Sequence, residues 1–205
     1  MEVNDEMSSK IYEWLDVIYF NKMKNNPRRA IIENIPEQEV SILEVGMGTA
    51  DNLVLVGKQR PNAQVIGIDN SPKMIEISSR KLYKEELANV TVEMMDGTQM
   101  TFEDESFDIV VISLALHEVS EATRKKLLKE VRRVLKIKGR LIVVEWVKLQ
   151  KRWQRAIFKI VELMGPKDFN AFLQIDLPRY IKQYGFSPRR RKYCDYSQVV
   201  AFTKR

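Results

Sequence analysis

The stretch ILEVGMGTADNL, residues 42–53, sets Glu44, Gly46 and Gly48 at alternate positions behind an apolar run. Glycines at that spacing let the backbone turn sharply and bring its N–H groups close to a ligand, with the N-terminus of a following helix aimed at the ligand's negative group. Asp69 lies 21 residues beyond Gly48, the separation at which an acidic residue accepts hydrogen bonds from ribose hydroxyls in nucleotide-binding α/β units. Asp96, flanked by Met94, Met95 and Gly97, offers an acceptor for an exocyclic amine and apolar neighbours for a purine ring. Each feature has a plain structural alternative. A G-x-G is often only a turn, Asp69 before Asn70-Ser71-Pro72 can cap a helix, and Asp96-Gly97 is a good turn pair. Their joint occurrence is what points to a nucleoside.

The type of nucleoside follows from what is missing. A dinucleotide loop carries a third glycine three positions after the second, and Asp51 stands there instead. A carboxylate beside a pyrophosphate would oppose the anion that a helix N-terminus attracts. Glu44, two residues before Gly46, adds an acceptor suited to a cationic amine. The pattern fits a nucleoside with an amino-acid tail better than a dinucleotide.

These residues need a scaffold that gathers them. Apolar runs of strand length at 41–45, 64–69, 90–95, 107–115 and 140–146 alternate with helix-period segments at 49–59, 71–87 and 120–136. Near-continuous apolar strands joined by helices predict a parallel sheet covered on both faces. Ser71 and Pro72 read as the N-cap and first turn of one helix, and Gly139 as the stop after another. After a helix around 176–184, two strands over 190–204 stand only a few residues apart, a connection short enough only for an antiparallel hairpin. Ligands of such sheets bind at the carboxyl ends of the strands, where Gly46, Gly48, Asp69, Asn70, Asp96, Gly97, Ser113 and His117 all fall.

In order and spacing, residues 38–146 resemble the class I S-adenosylmethionine-dependent methyltransferases. ILEVGMGTADNL is similar to their motif I, of form E-x-G-x-G-x-G with Ala50 for the third glycine, and VIGIDNSPKMIEISSRK, MDGTQMTFEDESFDIVVISLALHEV and LLKEVRRVLKIKGRLIVVEW continue the likeness. The nearest branch contains quinone C-methyltransferases and small-molecule methyltransferases. The resemblance implies a three-layer Rossmann-like α/β fold, with a seven-stranded, mostly parallel sheet whose last strand is reversed, and S-adenosylmethionine as cofactor. It implies that Glu44, Gly46 and Gly48 face the methionine part, that Asp69 holds the ribose with Asn70 and Met74 beside the adenosine, that Asp96 and Gly97 meet the adenine, and that Ser113 lies under the methionine end. Ala50 crowds the loop, and KIKGR (136–140) replaces the usual Pro-Gly-Gly turn before the fifth strand.

The domain expected is single: an N-terminal helical cap over 1–35, a cofactor core over 38–146, a helical insert over 147–175 and a terminal helix and hairpin over 176–205. His117, the only histidine, is a candidate general base or a residue that shapes the pocket wall. Tyr12, Tyr19 and Trp146 are candidates for an acceptor pocket, with ordinary packing as the alternative. The basic amphipathic segment 148–164 either packs on its own domain or touches an anionic membrane.

One cysteine and one histidine leave no zinc cluster, and the acidic N-terminus MEVNDEMSSK is unlike a signal peptide, so a cytoplasmic protein without a metal is expected. The 34 basic against 28 acidic residues are spread along the chain, so no DNA partner is expected and RNA is disfavoured. The expected function is methyl transfer to a small-molecule or lipid-like acceptor. The alternatives are an RNA or protein methyltransferase, a cofactor-binding subunit without activity, and a nicotinamide oxidoreductase.

Overall fold

The computed structural model describes residues 25–149 and 168–205. Tyr12, Tyr19 and most of the basic segment 148–164 lie outside these residues, so the expectations for them stay with the sequence. In chain order the elements are α1 (Pro27–Ile32), β1 (Ser41–Val45), α2 (Asp51–Gln59), β2 (Gln64–Asp69), α3 (Pro72–Glu85), β3 (Val90–Met94) and β4 (Phe107–Ser113). There follow α4 (Glu121–Val134), β5 (Leu135–Trp146), α5 (Phe169–Phe172), α6 (Leu177–Lys182), β6 (Phe186–Tyr193) and β7 (Ser197–Lys204).

The strands form one seven-stranded sheet in the order β3-β2-β1-β4-β5-β7-β6. Pairings from β3 through β5 are parallel, and β7 runs antiparallel to both β5 and β6. The expected seven-stranded sheet with its reversed last strand is therefore present. Strand order reverses between β1 and β4, which opens the crevice at their carboxyl ends.

Side chains alternate across the pleat, and both faces are apolar. Leu43, Val45, Val110, Ile112, Leu141 and Val143 join one core with Leu128 and Val131 of α4 and Ile181 of α6. Ile42, Val65, Ile109, Val111, Ile142 and Val144 join the other with Ile31 of α1 and Leu53 and Val56 of α2. This double cover is why the strands read as unbroken hydrophobic runs. Helix starts follow the capping signals. The Ser71 hydroxyl accepts from the Met74 N–H at 3.4 Å with Pro72 in the first turn, and Ser120 caps α4 through the Thr123 N–H at 3.2 Å.

One boundary differs from expectation. Gly139 does not stop α4, which ends at Val134, and β5 begins at once with Leu135. Leu135 pairs with Phe107 and Arg140 with Ile109, so four residues bulge out between them. Lys138 takes up the reversal with a φ of 63°.

Candidate functional site

Three strand ends and the loop after β1 are tied together by short contacts. The Gly46 and Met47 N–H groups donate to the Ile68 carbonyl at 2.9 and 3.1 Å, which seats the loop on β2. Asp69 then accepts from Gly48 N at 3.0 Å and from Ser71 N at 2.9 Å. Its carboxylate thus holds both the glycine loop and the start of α3, leaving further lone pairs for a hydroxyl donor. Gly46 has φ +69° and sits so close to the β4 loop that a Cβ there would lie 2.9 Å from the Ala115 Cβ. Gly48, at φ +55°, meets nothing within 4 Å on its Cβ side. One glycine closes the loop against its neighbour, and the other leaves an open floor.

Ala50 occupies the third motif position in the left-handed region, φ 63°, fully buried at the N-cap of α2. Asp51 is the first residue of that helix. Burial works against its charge, but Lys81 Nζ at 2.8 Å, the Thr49 hydroxyl at 2.7 Å and the Arg28 guanidinium at 3.6 Å hold its carboxyl below the usual range.

Glu44 is 2 % exposed, and its Oε1 accepts from Asn52 Nδ2 at 2.7 Å. Burial pushes its carboxyl up to about 7, against the opposing pull of the Asn52 amide and Arg28. A carboxylate poised this way favours a ligand that brings its own positive charge.

On the far side of the crevice, Asp96 is exposed and its Oδ1 accepts from Thr98 N at 2.8 Å. A Cβ on Gly97 would strike Val45 Cγ1 at 2.7 Å, so only glycine lets this loop lie against the end of β1. Asn70 is exposed beside Asp69, and Met74 is half-buried one turn into α3. Ser113 closes β4 and is followed by Leu114 at φ 55°. The residues expected at the nucleoside therefore fall on adjoining loops at one end of the sheet.

His117 takes a more enclosed position than its place at a strand end suggests. It is 6 % exposed, with Nδ1 2.9 Å from Glu145 Oε2 and Nε2 3.2 Å from Glu118 Oε1. Burial alone would lower its pKa, but the two carboxylates prevail and lift it to about 9. Rings of Phe169, Phe172 and Trp146 surround it at centroid distances of 5.2, 6.2 and 6.3 Å. Trp146 is buried with Leu149, Phe169 and Tyr196.

Glu145, fully buried, was not singled out from the sequence. Its Oε1 accepts from the Leu116 and His117 N–H groups at 2.9 and 3.2 Å, and its Oε2 from Trp146 N at 3.2 Å as well as His117. The one signal available was a charge inside the apolar strand LIVVEW, since a buried carboxylate needs dedicated donors. Arg28 and Asn52 were also missed, and nothing in their local sequence marks them.

Residues 42–139 match a family model described as a methyltransferase domain. A demethylmenaquinone methyltransferase of Thermotoga maritima is 32 % identical over 146 residues, covering 71 % of this chain and 60 % of the relative. A ubiquinone/menaquinone biosynthesis C-methyltransferase of Citrifermentans bemidjiense is 32 % identical over 107 residues, covering 51 % of this chain and 45 % of its own. The chain thus matches only about half to three fifths of the length of these curated relatives. In fold, it is similar to the crystal structure of an S-adenosylmethionine-dependent methyltransferase from Aquifex aeolicus, with a TM-score of 0.74, 21 % identity, and coverage of 95 % of this chain and 97 % of that one. Motif loop, sheet order and matched segment agree: residues 42–139 carry a methyltransferase domain on the class I fold, and in sequence the chain is similar to quinone methyltransferases.

Proposed function

We propose that the protein transfers a methyl group from S-adenosylmethionine to a small or lipid-like acceptor, a hydroxylated aromatic ring of the quinol class. The observation that carries the cofactor part is the pairing of an open glycine floor at Gly48 with the buried carboxylate of Glu44. A nucleoside with a cationic amino-acid tail satisfies both, whereas a pyrophosphate would be repelled by the carboxylate. Asp69 and Asn70 are proposed to hold the ribose, Met74, Asp96 and Gly97 the adenine, and Ser113 the methionine end. When bound, the cofactor supplies a methyl group on a positively charged sulfur.

The chain's own work is then to place an acceptor atom in line, about 3–3.5 Å from that methyl, and to keep water away. The acceptor class is supported by the quinone substrates in the names of the curated relatives and by the buried aromatic rings clustered around His117 at the β4–β5 end. Trp146 contributes to that cluster from inside the core.

His117, held between two carboxylates, carries a proton at neutral pH and donates rather than accepts. To act as a base it must first pass that proton to Glu118 or solvent, so the base role is one of two proposed parts, the other being to fix the wall. His117→Asn separates them. A loss in kcat of about a hundredfold with a flattened pH profile supports proton removal, and activity within a few-fold of wild type sinks it.

The function itself is tested by supplying methyl-labelled S-adenosylmethionine with demethylated quinols, bulk RNA and mixed protein in separate reactions. Label is expected in the solvent-extractable quinol fraction. Label only in RNA or protein would overturn the acceptor class, and no label in any of them would leave a cofactor-binding subunit. Gly48→Ala offers a second check: a methyl on the open floor is expected to weaken S-adenosylhomocysteine binding at least tenfold in calorimetry.

A further inference from the structure

The side chain of Asn52 lies between a cation and a carboxylate. Its Oδ1 accepts from Arg28 Nε at 3.3 Å, and its Nδ2 donates to Glu44 Oε1 at 2.7 Å. An amide side chain is a donor at one end and an acceptor at the other, and a guanidinium can only donate. With Arg28 on one side, Asn52 must therefore turn its oxygen outward and its NH2 toward Glu44. That orientation suits an ionised carboxylate, whereas the flipped amide would suit a protonated one. Arg28 comes from α1, outside the β1–α2 unit that carries the motif loop, and its side chain is 12 % exposed.

We propose that Arg28 is a positioning residue for the methyl donor: acting through Asn52, it keeps the Glu44 carboxylate ready to receive the ammonium of the donor's amino-acid tail. The proposal rests on the placement of that tail at Glu44 given above. It makes an element outside the motif core a determinant of which part of the ligand is held. The influence of Arg28 is exerted through Asn52 and is confined to ligands that possess the tail.

The charged groups facing Glu44 are Arg28 from α1, Asp51 from α2 and Asp69 from β2, with Lys81 of α3 neutralising Asp51. The two aspartates favour a proton on Glu44, and Arg28 opposes it. Burial holds the Glu44 carboxyl near 7 with Arg28 in place. Affinity for a tail-bearing ligand should therefore rise between about pH 6 and 7.5, as Glu44 ionises and before the ligand's own amine loses its proton. Without the Arg28 charge that rise moves to higher pH.

Calorimetry with S-adenosylhomocysteine and with 5′-methylthioadenosine, which keeps the nucleoside and sulfur but lacks the tail, tests this. In Arg28→Met the S-adenosylhomocysteine affinity at pH 7 should fall about tenfold while that for methylthioadenosine stays within twofold. Arg28→Lys, still a pure donor, should recover most of the loss. In an Asn52→Leu background, Arg28→Met should add less than twofold, because the effect runs through Asn52. Equal losses for both ligands, or additive effects of the two substitutions, would show a merely structural role and overturn the proposal. If the wild-type protein binds the two ligands equally, the tail is not held at Glu44, and the underlying placement fails along with the proposal. A difference between them that Arg28→Met leaves intact sinks the proposal alone.

Discussion

Glu145 and His117 form a buried ion pair whose second function is mechanical. The carboxylate accepts three backbone N–H groups besides the imidazole, so it fixes the 116–117 and 145–146 backbones together. Removing one partner of a buried, hydrogen-bonded pair leaves the other uncompensated, at a cost of about 3–5 kcal/mol. Glu145→Gln is therefore expected to lose about 3 kcal/mol in urea denaturation, because an amide cannot satisfy four donors. The pH dependence has a definite sign. The His117 pKa is raised on folding, so the pair's contribution is complete below the unfolded value near 6.5 and is lost as pH climbs through about 9. Urea midpoints should fall between pH 7 and 10, and the fall should be smaller in His117→Asn.

At the scale of elements, the glycine loop and the bulge in β5 show how local sequence sets conformation. Gly46→Ala must adopt φ +69° with its methyl against Ala115, a combination expected to destabilise by about 2 kcal/mol or more. Lys138 stands exposed in the left-handed region with no glycine to ease it. Lys138→Gly should stabilise by about 0.5–1 kcal/mol in the same assay, the relief of strain exceeding the entropy lost. The bounds of β1 and β2 were legible because turn residues bracket short apolar runs. The end of α4 was not, because Leu135 continues the apolar stripe of the helix while already pairing with Phe107. Gly46, Gly48, Asp69 and Asp96 were legible as residues gathered at one end of the sheet because their spacing follows the strand ends. Glu145 was not, since it meets His117 across 28 residues only through the register that sets Ser113 opposite Val144. The Arg28–Asn52 contact likewise spans 24 residues and two elements, a separation no periodicity records.

On the scale of the whole sheet, the two buried carboxylates lie on opposite faces. Glu44 shares its face with Ile42 and α2, while Glu145 shares its own with Val143 and α4. Glu44 and the aromatic rings around His117 are thus supported by separate cores, and substitutions at the two carboxylates should be nearly additive in urea. The edge strand β6 carries Pro188 and the run Arg189 to Lys192, the kind of charge that discourages edge-to-edge pairing. Arg190 and Lys192 are also anchored to Glu33. Replacing both with valine should produce higher-order species in size-exclusion chromatography.

The position of β7 bears on how the protein is made. It is the last strand in chain order, yet it is inserted between β5 and β6. On a ribosome, residues 41–146 emerge with the edge of β5 bare, and the strand that covers it follows only after β6. The fold cannot close progressively as it is synthesised. Nascent chains stopped short of Ser197 should be protease-sensitive and bound by chaperones, and protection should appear in a single step once residues 197–204 have left the exit tunnel.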